Sequence, residues 1–152
     1  MNDAICDAEA IVACCGNPLY GDNGFATTLV PLLKQTFNGS DRLKVVDIGR
    51  GYFLFGILGC KKLVLVDSID FGGAPGELKT LAIDDVDENR YADHQCWQTS
   101  KPLNELRERC DISVIACQPK SWDQIGFGLT DDVKRSIPEA MELIQKEVEE
   151  FL

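Results

Sequence analysis

The stretch that most limits the fold is Lys62-Leu-Val-Leu-Val-Asp67, an unbroken apolar run closed by a carboxylate. A strand with one wet face alternates apolar and polar residues. A run without alternation reads as a strand covered on both faces, the usual condition in a parallel sheet. Such runs are also far too short to span a bilayer, which needs about 20 residues. The chain is therefore read as a globular α/β protein with no membrane partner.

Around this strand the pattern alternates strand and helix, which argues a three-layer sandwich with helices on a mostly parallel, five-stranded twisted sheet. The first strand is expected over Ala8–Cys15, ending in the glycine-rich turn Gly16-Asn17-Pro18-Leu19-Tyr20-Gly21. A helix should follow over Asn23–Phe37, with Pro31 kinking it. Leu43–Asp47 reads as the second strand, broken by Gly49 and Gly51 before a short helix near Tyr52–Leu58. Phe71 to Gly76 is a turn, and Glu77–Ile83 alternates polar and apolar residues, as a half-exposed edge strand does. That strand is the one expected to run antiparallel. A polar stretch then reaches Ser100, a short helix lies near Pro102–Arg109, and Asp111–Gln118 is the fifth strand. Thr130 is placed to cap the last helix, with Asp131 and Asp132 in its first turn. Val133, Ile137, Met141, Ile144, Val148 and Phe151 recur three or four residues apart and form one sheet-facing stripe, with Pro138 bending the helix.

No linker or repeat divides the 152 residues, so residues 1–152 are read as a single domain. The first ten residues carry Asp3, Asp7 and Glu9 where a signal peptide has Lys or Arg, and the expected location is the cytoplasm. Seven cysteines without CxxC or repeated spacing, several within apolar strands, read as reduced thiols and not as a disulfide framework. The formal charge of −10 repels phosphate backbones, so nucleic acid is not an expected partner. A cation, a basic peptide or a positive protein face would be steered toward such a surface, though acidity serves solubility too.

In open α/β sheets ligands sit beyond the carboxyl ends of the strands. Three polar clusters fall there: Asn17 to Asn23, Asp47 and Asp67. A carboxylate closing a buried strand must be offset by a cation or by hydrogen bonds. For Asp67 the plain alternative is a turn cap; for Asp47, before a glycine turn, capping is the stronger reading. The chain has one histidine, His94, which excludes HExxH zinc sites and histidine-rich cages. No GxSxG elbow presents a serine. His94 lies in the polar loop, about ten residues past the fourth strand, a reach of up to roughly 33 Å. It can therefore meet Asp67 in one crevice. The glycine turn is neither GxGxxG nor a P-loop, and Tyr20 and Asp22 suit a cation better than a phosphate.

Together these residues form a recognisable series. Cys15-Gly16-Asn17-Pro18-Leu19-Tyr20-Gly21-Asp22-Asn23-Gly24-Phe25 resembles the opening motif of the hydrogenase maturation endopeptidases. Val46-Asp47-Ile48-Gly49, Leu65-Val66-Asp67-Ser68-Ile69, Ala74-Pro75-Gly76, His94 and Ile125-Gly126-Phe127-Gly128-Leu129-Thr130 follow in family order. The resemblance covers nearly the whole chain. Cys117-Gln118-Pro119-Lys120 and the segment from His94 to Trp97 and on to Leu103 resemble the branch serving deazaflavin-reducing hydrogenases of methanogenic archaea.

The resemblance implies a nickel-binding set of Asn23, Asp67 and His94. Asn23 departs from the family's acid at that position, and an amide is a weaker hard-cation ligand than a carboxylate. It also implies an endopeptidase that removes the C-terminal tail from the precursor large subunit of a nickel–iron hydrogenase. Nickel would be carried by that substrate, and other divalent metals could occupy the site in vitro. Asp67 is the expected catalytic carboxylate, an aspartyl general base for the attacking water, with Asp22 beside Asn23 as the second catalytic candidate. Two other readings remain: a non-catalytic nickel-checking or assembly factor for the same subunit, and an unrelated small-ligand domain.

Overall fold

The computed structural model describes residues 8–49, 60–83 and 106–152. Strands β1 (Ala10–Cys15), β2 (Leu43–Gly49), β3 (Lys62–Ser68), β4 (Leu78–Ala82) and β5 (Asp111–Cys117) form one sheet in the order β2-β1-β3-β5-β4. The first three and β5 are parallel; β4 pairs antiparallel with β5 at the edge. The apolar run is β3, buried along its whole length, as its lack of alternation requires. Its first residue, Lys62, stays charged there because its Nζ meets Asp111 Oδ2 at 3.0 Å and Glu147 Oε1 at 3.1 Å.

Period-two alternation divides the core in two. Ile11, Ala13 and Cys15 of β1 pack with Leu63, Leu65 and Val114 on one face. Ala10, Val12 and Cys14 pack with Val64, Val66 and Ile115 on the other, beneath helix α1 (Phe25–Thr36) and the C-terminal helices. In α1 the buried residues Phe25, Ala26, Leu29 and Leu33 make the sheet-facing stripe. Pro31 does not end the helix. It sits on the exposed face, clear of the sheet-facing stripe.

Several boundaries differ from expectation. The Gly21–Gly24 segment is a separate 3-10 turn, so α1 begins at Phe25 and not at Asn23. β2 runs to Gly49, because the register shifts from Cys14–Asp47 to Cys15–Gly49 and skips Ile48. The single bent C-terminal helix is two: α2 (Asp131–Arg135) and α3 (Ile137–Glu147), divided at Ser136. Ser136 Oγ donates to Val133 O at 2.6 Å, and Pro138 falls in the first turn of α3, where a missing N–H costs nothing. The apolar stripe survives the break, with Val133, Ile144, Val148 and Phe151 buried. Cys15 is disulfide-bonded, which corrects the reading of all seven cysteines as reduced thiols. Sequence spacing does not reveal which thiols a fold apposes. The short helix near Tyr52–Leu58 and the polar loop through Ser100 lie outside the described residues, as does most of the helix expected near Pro102.

Leu65 is wholly buried at the sheet centre, flanked in register by Ala13 and Val114. Leu65→Ala is expected to cost about 2–5 kcal/mol, since neighbouring strands cannot collapse into the void. A urea unfolding midpoint measures it.

Candidate active site at the end of the central strands

The order β2-β1-β3 sets a topological switch point. The chain leaves β1 for β2 on one side and returns to β3 on the other, so the connections diverge at the carboxyl ends of β1 and β3. The Gly16–Gly24 turn borders this crevice from β1, Asp67 closes β3 beside it, and the 3-10 turn packs against β3.

Asp67 is 2% exposed, and its Oδ1 accepts the Ser68 N–H at 2.8 Å. A second buried side chain shapes the loop that follows. Gln118, directly after β5, accepts the N–H groups of Phe71 and Gly73 on Oε1 at 2.9 and 3.0 Å. Its Nε2 donates to Asp70 Oδ1 at 3.0 Å. The descent from Asp67 is thus fixed from the neighbouring strand. Gln118, a polar residue closing an apolar run, carries the same sequence signal that singles out Asp67.

Asn23 is 3% exposed and folds back on the turn's start. The Asn17 N–H donates to Asn23 Oδ1 at 2.6 Å and to its backbone carbonyl at 3.2 Å. A backbone N–H must meet an acceptor, so the amide's orientation is settled and its oxygen is engaged. Gly16 is required here, since a Cβ on it would stand 2.1 Å from the Asn23 carbonyl oxygen.

Asp22 points the other way. It is wholly buried, and both oxygens are taken: Oδ2 by the N–H groups of Lys120 and Ser121 at 2.9 and 3.1 Å, Oδ1 by the Thr130 N–H at 2.7 Å. The Thr130 hydroxyl donates to the same carboxylate at 2.8 Å. Thr130 holds the cap position of α2, but its side chain makes no capping bond. These contacts make Asp22 a clamp between the turn and the post-β5 segment. They leave it no oxygen to act on a substrate, which speaks against the catalytic role expected for it.

Asp47 is exposed, and its Oδ1 accepts the Gly49 N–H at 2.9 Å, the cap that its glycine neighbour suggested. Cys14 lies between the strands bearing Asp47 and Asp67. Burial first, then the two carboxylates, raise its thiol far above the usual range. Cys117, at the end of β5, is pushed up to about 11, chiefly by burial. Neither is a thiolate near neutrality. His94 lies outside the described residues. Among those described, no group of three His, Cys, Asp or Glu side chains could hold a metal ion.

The family model for hydrogenase maturation protease matches residues 27–147. The delta subunit of the coenzyme F420 hydrogenase of Methanothermobacter thermautotrophicus is 34% identical over 151 residues, covering 93% of this chain and 96% of its own. A putative hydrogenase maturation protease of Methanocaldococcus jannaschii is 30% identical, covering 92% and 96%. The hydrogenase maturating endopeptidase HybD of Escherichia coli shares the fold with a TM-score of 0.79 over 93% of each chain, at 22% identity.

An α/β sheet with a carboxylate at its switch point and relatives of this kind define a class of endopeptidase. The chain belongs to the hydrogenase maturation protease family, with a methanogen relative of the branch that its sequence resembles. No helix among the described residues is long and apolar enough to cross a membrane.

In Asp22→Asn, the amide has one acceptor oxygen, so its NH2 faces N–H donors in either orientation. Stability is expected to fall by about 1.5–3 kcal/mol, the worth of hydrogen bonds to a charged group. Denaturant unfolding reads the loss, and limited proteolysis should show faster cutting within residues 119–130.

Proposed function

We propose that this protein cuts the C-terminal tail from the precursor large subunit of a nickel–iron hydrogenase once nickel is in place. Family membership supports proteolysis on a hydrogenase. The buried carboxylate of Asp67 at the switch-point crevice is the observation that carries the site. With the thiols of Cys14 and Cys117 held protonated, water is the fitting nucleophile, and Asp67 is the group to take its proton. Asp67 and His94 would together meet the nickel that the precursor carries, completing its coordination with one carboxylate and one imidazole. Nickel is therefore cargo of the substrate on this reading, and the proposed place of processing is the cytoplasm.

Asn23 contributes differently from an acid. Its carbonyl oxygen already serves the Asn17 N–H, so it offers a metal only the second lone pair of a neutral group. The same observation favours the alternative, a nickel-checking or assembly factor that binds the large subunit without cutting it.

The test mixes purified protein with nickel-loaded precursor and follows the subunit by mass spectrometry. A mass loss equal to the tail is expected, and Asp67→Asn should slow it by about 10²–10⁴-fold, the usual worth of a positioned general base. Asn23→Asp should tighten nickel binding in calorimetry, since one carboxylate oxygen can keep the Asn17 bond while the other is added to the crevice. Stable binding without cleavage would favour the assembly factor, and unchanged processing in Asp67→Asn would remove Asp67 from the chemistry.

A further inference from the structure

Ile125 and Phe127 are 80% and 81% exposed, although the segment that bears them is firmly held. Gly126 between them forms a parallel bridge with Tyr20: the Gly21 N–H donates to Gly126 O and the Gly126 N–H to Leu19 O, both at 2.8 Å. On either side, the Asp22 carboxylate holds Lys120, Ser121 and Thr130. Ile125 and Phe127 do not owe their exposure to a loose loop. These are fixed in water by backbone bonds that do not involve them. Of the five large apolar side chains exposed among the described residues, Leu19, Ile125 and Phe127 lie in this one pairing.

The backbone completes the picture. In an extended segment, alternate residues point their N–H and C=O groups to opposite sides. Gly126 spends both of its groups on the glycine turn. Those of Ile125 and Phe127 face away from the turn and make no hydrogen bond among the described residues. An open strand edge with flanking apolar side chains is a template for an added strand. It is continuous with the turn that borders the Asp67 crevice.

We propose that the Ile125–Phe127 edge docks the precursor segment carrying the scissile bond, as an extended strand with apolar side chains against Ile125, Phe127 and Leu19. This rests on the processing function proposed above and names how that substrate is held. An acidic segment is disfavoured by the chain's charge of −10 and by exposed Asp123 at the start of the edge. Main-chain pairing gives affinity with little sequence demand, and the apolar contacts select the segment.

The test is the double substitution Ile125→Ser with Phe127→Ser, assayed with nickel-loaded precursor for both cleavage and direct binding by fluorescence titration. Exposed side chains contribute little to the fold, so circular dichroism and the thermal midpoint should match wild type. The expected result is precursor affinity weakened at least tenfold, with the loss in cleavage carried by KM rather than kcat. Unchanged affinity and KM, or a loss confined to kcat, overturns the proposal. So does a concentration-dependent dimer, seen by sedimentation, that the substitutions abolish while precursor affinity is kept; the edge would then be a self-association surface. A wild-type protein that binds the precursor without cutting it sinks the processing reading alone. One that does neither sinks both.

Discussion

The Asp22 carboxylate lies beneath the surface with four donors around it, and the carboxyl end of the sheet is organised by that arrangement. A buried charge is costly unless donors replace its water, and here three backbone N–H groups and one hydroxyl do so. The donors come from residues about 100 positions later in the chain. One side chain therefore ties the turn after β1 to the segment after β5 and to the start of α2. Lysine and serine side chains at 120 and 121 are incidental to this; their amides are what the clamp uses.

That tie turns a sheet topology into a site. A switch point makes a crevice by divergence of the connections, but its walls are loops, and loops need independent fixing. Gln118 fixes the loop after β3 by two backbone N–H groups and Asp70. Asp22 fixes the wall formed by residues 119–130. Asn23 closes the glycine turn on itself through Asn17. Three adjacent connections are thus held by buried polar side chains whose partners are mostly main chain. On the processing reading, such scaffolding lets a large partner be accepted without rearranging the crevice.

The sheet was legible where one strand decided its own state. The β3 run has no polar residue to expose, and the β4 alternation can only be an edge; both follow from local pattern. What escaped depended on partners distant in sequence. Ile48 is skipped in the register because β2 must match β1, and nothing within residues 43–49 announces that. Ser136 divides the last helix through its own hydroxyl, while Pro138, the visible breaker, sits harmlessly in a first turn. Asp22 and Asn23 are neighbours of similar shape, and sequence cannot show which faces residues 120–130 and which the start of the turn. The difference decides their roles. The strand order was open for the same reason, since connection lengths do not say on which side of β1 the chain returns. The meeting of Asp67 with His94 concerns a residue outside those described.

The amide at position 23 has a further electrostatic consequence. Asp67 closes β3, against which the turn bearing Asn23 packs, so a carboxylate at position 23 would add to the negative charge at this end of the sheet. Such a cluster would draw divalent cations from solution and hold them without a substrate. With a neutral amide whose oxygen serves Asn17, the crevice offers fewer charges and fewer free lone pairs, and a cation must bring more of its own coordination. Nickel seated in a precursor does bring it; a solvated ion would need the protein to supply it. On the processing reading, Asn23 thus shifts the balance from capture of free metal toward inspection of metal already placed.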